Sequence, residues 1–138
     1  MTGIPRYRIR AARVAQEFAA RLNEILPHGF SATPEEDCVR FDSPDGLGGS
    51  GWVGAVDDRL SDDDAGYHTA AWNVLSAAQD TVSETTTVPW PKAPSARLDM
   101  ALPGSRIERN VLLTWFGDEA NPVLRLRPIV LCPEDTRP

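Results

Sequence analysis

Val14, Phe18, Leu22 and Ile25 recur at helical spacing with Ala11 and Ala15 beside them, so one apolar stripe predicts an amphipathic helix over residues 6–26. Pro5 suits its first turn, and Pro27, His28 and Gly29 stop it. The pattern then changes period. Phe30–Ala32 reads as a short strand and TPEED (33–37) as a turn. In CVRFD (38–42), Val39 and Phe41 alternate with Cys38, Arg40 and Asp42, as a half-buried strand requires. SPDGLGGSG (43–51) is expected to be irregular, and GWVGAV (51–56) to resume as a strand, which makes a hairpin with a long glycine-rich loop.

A second helical stripe, Ala71, Leu75, Ala78 and Val82 with Trp72 adjacent, predicts a helix over about 64–85, ended by three threonines and VPWPKAP. The last third alternates again. Leu98, Met100 and Leu102 mark a strand that Pro103-Gly104 turns, and Ile107 is joined to VLLTWF (111–116) by the tight connection Glu108-Arg109-Asn110. GDEANP (117–122) turns the chain into VLRLR (123–127), with Leu124 and Leu126 inward, Arg125 and Arg127 outward, and Pro128 as its limit. PEDTRP at the C-terminus is expected to fray. The order α-β-β-β-α-β-β-β predicts an α+β domain in which two amphipathic helices cover one face of an antiparallel, meander-like sheet.

A chain of 138 residues with 41% hydrophobic residues fits a single domain, 1–138, with an apolar core that needs neither disulfide nor structural metal. Cys38 and Cys132 show no CxxC and no histidine at ligand spacing, the pattern of reduced thiols in a cytoplasm. No run reaches the roughly eighteen apolar residues of a membrane-spanning helix, and arginines occupy the place where a signal peptide carries its apolar region. The formal net charge of -6 argues against general nucleic-acid affinity, which needs concentrated positive charge. That charge is uneven: Arg6, Arg8, Arg10, Arg13 and Arg21 precede a stretch from 35 to 64 that is dominated by acids. Mimicry of nucleic acid by that stretch is disfavoured, because glycines and loops interrupt any regular charge ladder.

Gly46, Gly48 and Gly51 satisfy GxGxxG, and Val53 extends the pattern to that of a kinase glycine loop. The only lysine is Lys92, no HRD or DFG follows, and a strand rather than a helix comes next, so kinase and dinucleotide folds both fail. The plain reading is a hairpin loop; the alternative is a loop that binds a nucleotide or another small ligand. Asp64 and His68, four apart on one helix face with Asp62 and Asp63 before them, could share a divalent cation, though helix capping by the aspartates accounts for the cluster. No nucleophile motif, zinc set or cofactor signature accompanies His28 or His68. Trp52, Trp72 and Trp115 are expected in the core. Trp90, held between two prolines, either staples its connector to the domain or offers a partner an aromatic anchor, and Arg125 and Arg127 display two guanidinium groups on one strand face.

LPHGF (26–30), LPGSRIE (102–108), LTWFGDE (113–119) and VLRLRPI (123–129) resemble a group of short actinobacterial proteins without an assigned function. The resemblance implies a cytoplasmic protein of a GC-rich bacterium, in keeping with 13 Arg to a single Lys, and brings no catalytic residue. By analogy of plan alone, two helices on a meander sheet is also the arrangement of secretion-chaperone-like domains, which bind polypeptides and often pair. The expectation is a non-enzymatic protein-binding, adaptor or chaperone-like module without cofactor, with Trp90, Arg125 and Arg127 at its partner surface and homodimerisation open to it through an edge strand. The alternative is a ligand site of Gly46, Gly48, Gly51, Asp64 and His68.

Overall fold

Helix α1 (Ala11–Asn23) buries Ala11, Val14, Ala15, Phe18 and Leu22 without exposed surface, but it ends at Asn23 rather than at 26, so Ile25 of the predicted stripe lies past the helix and is only partly buried. The structure, a computed structural model, describes residues 10–46, 48–53, 64–92 and 101–131, with Asp64 by its backbone alone. The expected strand over Arg97–Met100, Asp62 and Asp63, residues 54–56, Cys132 and the C-terminal tail lie outside the described residues.

Three strands follow α1. β1 (Ser31–Glu35) and β2 (Cys38–Asp42) form an antiparallel hairpin, and β3 (Gly48–Trp52) pairs with the other side of β2. β2 has the bounds that alternation predicts, with Val39 and Phe41 buried. Two expectations are corrected here. Thr33–Glu35 extends β1 instead of turning, because Thr33 and Glu35 find cross-strand partners in Arg40 and Cys38 and leave only Glu36-Asp37 as the turn. The glycine-rich segment is a strand from Gly48 onward, earlier than GWVGAV suggests. Its low strand propensity is overridden by packing: a Cβ on Gly51 would lie 2.7 Å from Val74 Cα, so only glycine admits the second helix this close.

That helix, α2 (Asp64–Thr86), lies between two sheets. One side meets β3, with Val74 over Gly51 and Thr81 near Gly49. The other meets β4 (Pro103–Glu108) and the segment just before it: His68 Nδ1 is 2.6 Å from Ser105 Oγ, and Gln79 donates to the Ala101 carbonyl. The second sheet runs β4, β5 (Val111–Asp118), β6 (Asn121–Arg125), with the two-residue β7 (Ile129–Val130) beside the start of β5. Arg109 and Asn110, both at positive φ, make the tight β4–β5 turn that the sequence suggests. Pro103-Gly104 opens β4 rather than turning the chain, since the Trp115 indole occupies the space above Gly104, 2.5 Å from where a Cβ would stand. The turn expected over 117–122 narrows to Glu119-Ala120, with a bulge between Phe116 and Gly117.

The α+β class and the element order are those the sequence predicts, with β7 added. The strands, however, divide between two antiparallel sheets instead of forming one. A helix that must cover both keeps little polar surface, which is why α2 is alanine-rich and buried at Ala70, Ala71, Val74, Leu75 and Ala78.

Candidate functional site

Each glycine of the GxGxxG pattern has a local structural cause. Gly46 turns the β2–β3 connection at φ +85, Gly48 leaves no room for a Cβ beside the Phe41 carbonyl, and Gly51 receives α2. Gly48 and Gly51 therefore belong to a strand, and only Gly46 to a loop. A cleft of about 350 Å³ nevertheless runs beside them, floored by Gly48, Gly49 and Ser50 and walled by Ala77, Asp80, Thr81, Glu84 and Thr85 of α2, with Asp45 at one end. Three carboxylates and no basic side chain line it. Asp80 and Glu84 are exposed and have no ion-pair partner among the described residues. The field inside is negative, so the cleft suits a cation and repels phosphate.

The two edges of the first sheet differ. On β1, Asn23 copies a strand partner: its side-chain amide donates to the Ala32 carbonyl and accepts from the Ala32 amide, both at 2.8 Å. On β3, among the described residues, nothing pairs with the side away from β2. The Val53 amide donates to the Asp37 carbonyl, and Cys38 stands opposite Trp52. In an antiparallel ladder this turns the backbone groups of Gly49 and Gly51 toward β2 and those of Gly48, Ser50 and Trp52 outward. The Trp52 carbonyl accepts from Asn73 Nδ2 at 3.0 Å. The Gly48 and Ser50 groups open toward the cleft.

Two tryptophans expected in the core stand instead at the surface. Trp52 is 52% exposed on the outer face of β3, its Nε1 donating to Asp37 Oδ2 at 2.9 Å, and Trp72 is 50% exposed on α2. Strand alternation explains Trp52, because Gly51 takes the buried phase; Trp72 sits on the arc of α2 that neither sheet covers. Trp115 is buried as expected.

The residues expected to form a partner surface are dispersed. Trp90 is half-buried, with its ring in edge contact with Phe116 at 5.5 Å and its amide donating to Ser83 Oγ, so it staples the connector. Arg125 is exposed on the opposite face of that sheet, across from Trp115, and Arg127 is spent on Glu24, with bonds of 2.6 and 3.0 Å. That bond, with a smaller charge effect of the same guanidinium, holds the Glu24 carboxyl below its ordinary pKa.

His68 is half-buried against Ser105, a pairing across 37 residues that no motif announces, and the side chain of Asp64 lies outside the described residues. Thr114, opposite Ser105, keeps its buried hydroxyl without a partner. No group of three or more His, Cys, Asp or Glu among the described residues could hold a metal ion. Burial first, then the neighbouring Asp37 charge, pushes the Cys38 thiol upward and away from reactivity. No described helix is long and apolar enough to cross a membrane. No protein-family model, curated protein sequence or solved structure matches the chain.

Proposed function

We propose that the chain is a non-enzymatic polypeptide-binding module of the cytoplasm, an adaptor or chaperone-like domain, and that it docks partners on the surface built by β3 and α2. The observation that carries this reading is the pair of half-exposed tryptophans, Trp52 and Trp72, on two elements joined by the bond from Asn73 to the Trp52 carbonyl. Tryptophan is among the side chains most enriched at the anchoring positions of protein interfaces. The test is co-purification from native cells with the wild type and with a Trp52→Ala/Trp72→Ala variant. A stoichiometric partner retained by the wild type and lost by a variant of unchanged fold supports the reading; no partner, or one held equally by both, refutes it.

A nucleotide or other anionic ligand at the glycine segment finds little support. Its phosphates would meet Asp45, Asp80 and Glu84, and the glycines have packing duties instead.

A further inference from the structure

We infer that the outward edge of β3 accepts an added β-strand from a basic polypeptide, whose alternate Arg or Lys side chains lie in the cleft against Asp80 and Glu84. The inference rests on the polypeptide-binding reading and narrows it to a partner class and a binding mode.

Three observations lead there. The first is the β3 edge, unpaired among the described residues: Gly48 and Ser50 present outward backbone groups over the cleft floor, while on the β1 edge of the same sheet Asn23 takes the place of a strand partner at Ala32. An open edge in an otherwise managed sheet is a template for a further strand. The second is space. The cleft lies along this edge, and its floor has almost no side chains.

The third is charge in register. α2 runs antiparallel to β3, since Val74 lies over Gly51 and Thr81 near Gly49. Asp80 and Glu84 stand four residues apart on its cleft side, about 6 Å along the axis. Residues two apart on an added strand point to the same face about 6.7 Å from each other. A strand with basic residues at alternate positions therefore places one cation near each of these two carboxylates. A second copy of this chain pairing β3 to β3 would instead bring two sets of these carboxylates together, so the favoured occupant is a basic partner.

The test uses the whole chain and a fluorescent synthetic peptide with arginine at every second position and valine or threonine between. Saturable binding is expected, with exchange of the Ser50 amide slowed by about tenfold or more. Asp80→Asn/Glu84→Gln should weaken binding about three- to tenfold, as the loss of two exposed ion pairs implies. Ser50→Pro, which removes an outward N–H and leaves the ladder to β2 intact, should abolish it. Equal binding of a peptide of the same composition with contiguous arginines overturns the proposal, as does unchanged affinity in the Asp80/Glu84 variant. Unaltered Ser50 exchange overturns it too, and that measurement on the wild type decides if the proline variant does not fold. Protection of Ser50 in a peptide-free dimer assigns the edge to a second copy and is equally fatal. If the peptide fails while partner capture still depends on Trp52 and Trp72, only the strand mode falls; if both fail, so does the docking reading.

Discussion

The Arg21 guanidinium of α1 holds the Pro128 carbonyl, 107 residues away, through Nη2 at 2.8 Å and Nε at 3.2 Å, and the Arg127 carbonyl through Nε at 3.0 Å. Glu17, one turn earlier, accepts from the same guanidinium at 2.5 Å and from Arg13 at 2.6 Å. A buried arginine thus joins the first helix to the chain between β6 and β7, where no ladder satisfies those carbonyls. Arg21→Ala leaves two carbonyls and the Glu17 charge short of donors and should cost about 2–4 kcal/mol in chemical denaturation. Arg21→Lys should recover less than half of the loss, because an ammonium cannot reproduce the planar fork. A lysine variant as stable as wild type would reduce the link to charge alone.

The two glycine environments separate packing from turn geometry. Gly51→Ala places a methyl 2.7 Å from Val74 Cα, and α2 must move away from β3. The expected loss is about 1–3 kcal/mol, with the outward β3 edge distorted. Gly46→Ala meets nothing within 4 Å, and pays only for its positive φ, about 1 kcal/mol. Denaturant titration of both variants tests the order; Gly46→Ala as the more damaging change would contradict the packing account.

Local signals were legible where a single element supplies them. The Val14–Phe18–Leu22 stripe, the alternation of Val39 and Phe41, and the Arg109-Asn110 turn are all visible in a short window and appear as expected. What stayed hidden depends on residues far apart. Gly49 and Gly51 read as a loop because their reason is α2, more than twenty residues on. Trp52 reads as core until the buried phase of β3 is known to belong to Gly51. The division into two sheets depends on a helix that both use, and no periodicity of α2 shows which of its sides meets which strand. Trp90 was legible as a connector residue that either staples or anchors, and what it staples to, Phe116 and Ser83, lies in other elements.

Trp90 and Trp52 should therefore behave differently when truncated. Trp90→Ala removes the ring from Phe116 and should destabilise by about 1.5–3 kcal/mol, with partner or peptide affinity unchanged in the folded fraction. Trp52→Ala, at a half-exposed site, should change stability by less than about 1 kcal/mol and weaken binding. Thermal denaturation alongside binding to the folded variants measures both, and the reverse pattern would move the docking surface to the connector.

The Glu24–Arg127 pair ties the end of α1 to the segment after β6, close to the Arg21 link, and its dependence on pH has a definite sign. Hydrogen bonding to Arg127 lowers the Glu24 pKa in the folded chain. A carboxyl depressed on folding stabilises above its unfolded pKa, and that contribution is lost as the pH falls through the folded value. Arg127→Ala should raise the Glu24 titration midpoint toward that of an ordinary glutamate, read from its side-chain carbon resonance. The stability difference between wild type and variant should shrink on acidification through this range. Both groups are exposed, so added salt should narrow the difference at neutral pH as well. An unmoved Glu24 midpoint in the variant would mean that the pair exerts no hold on α1, leaving Arg21 as the polar link between α1 and the segment after β6.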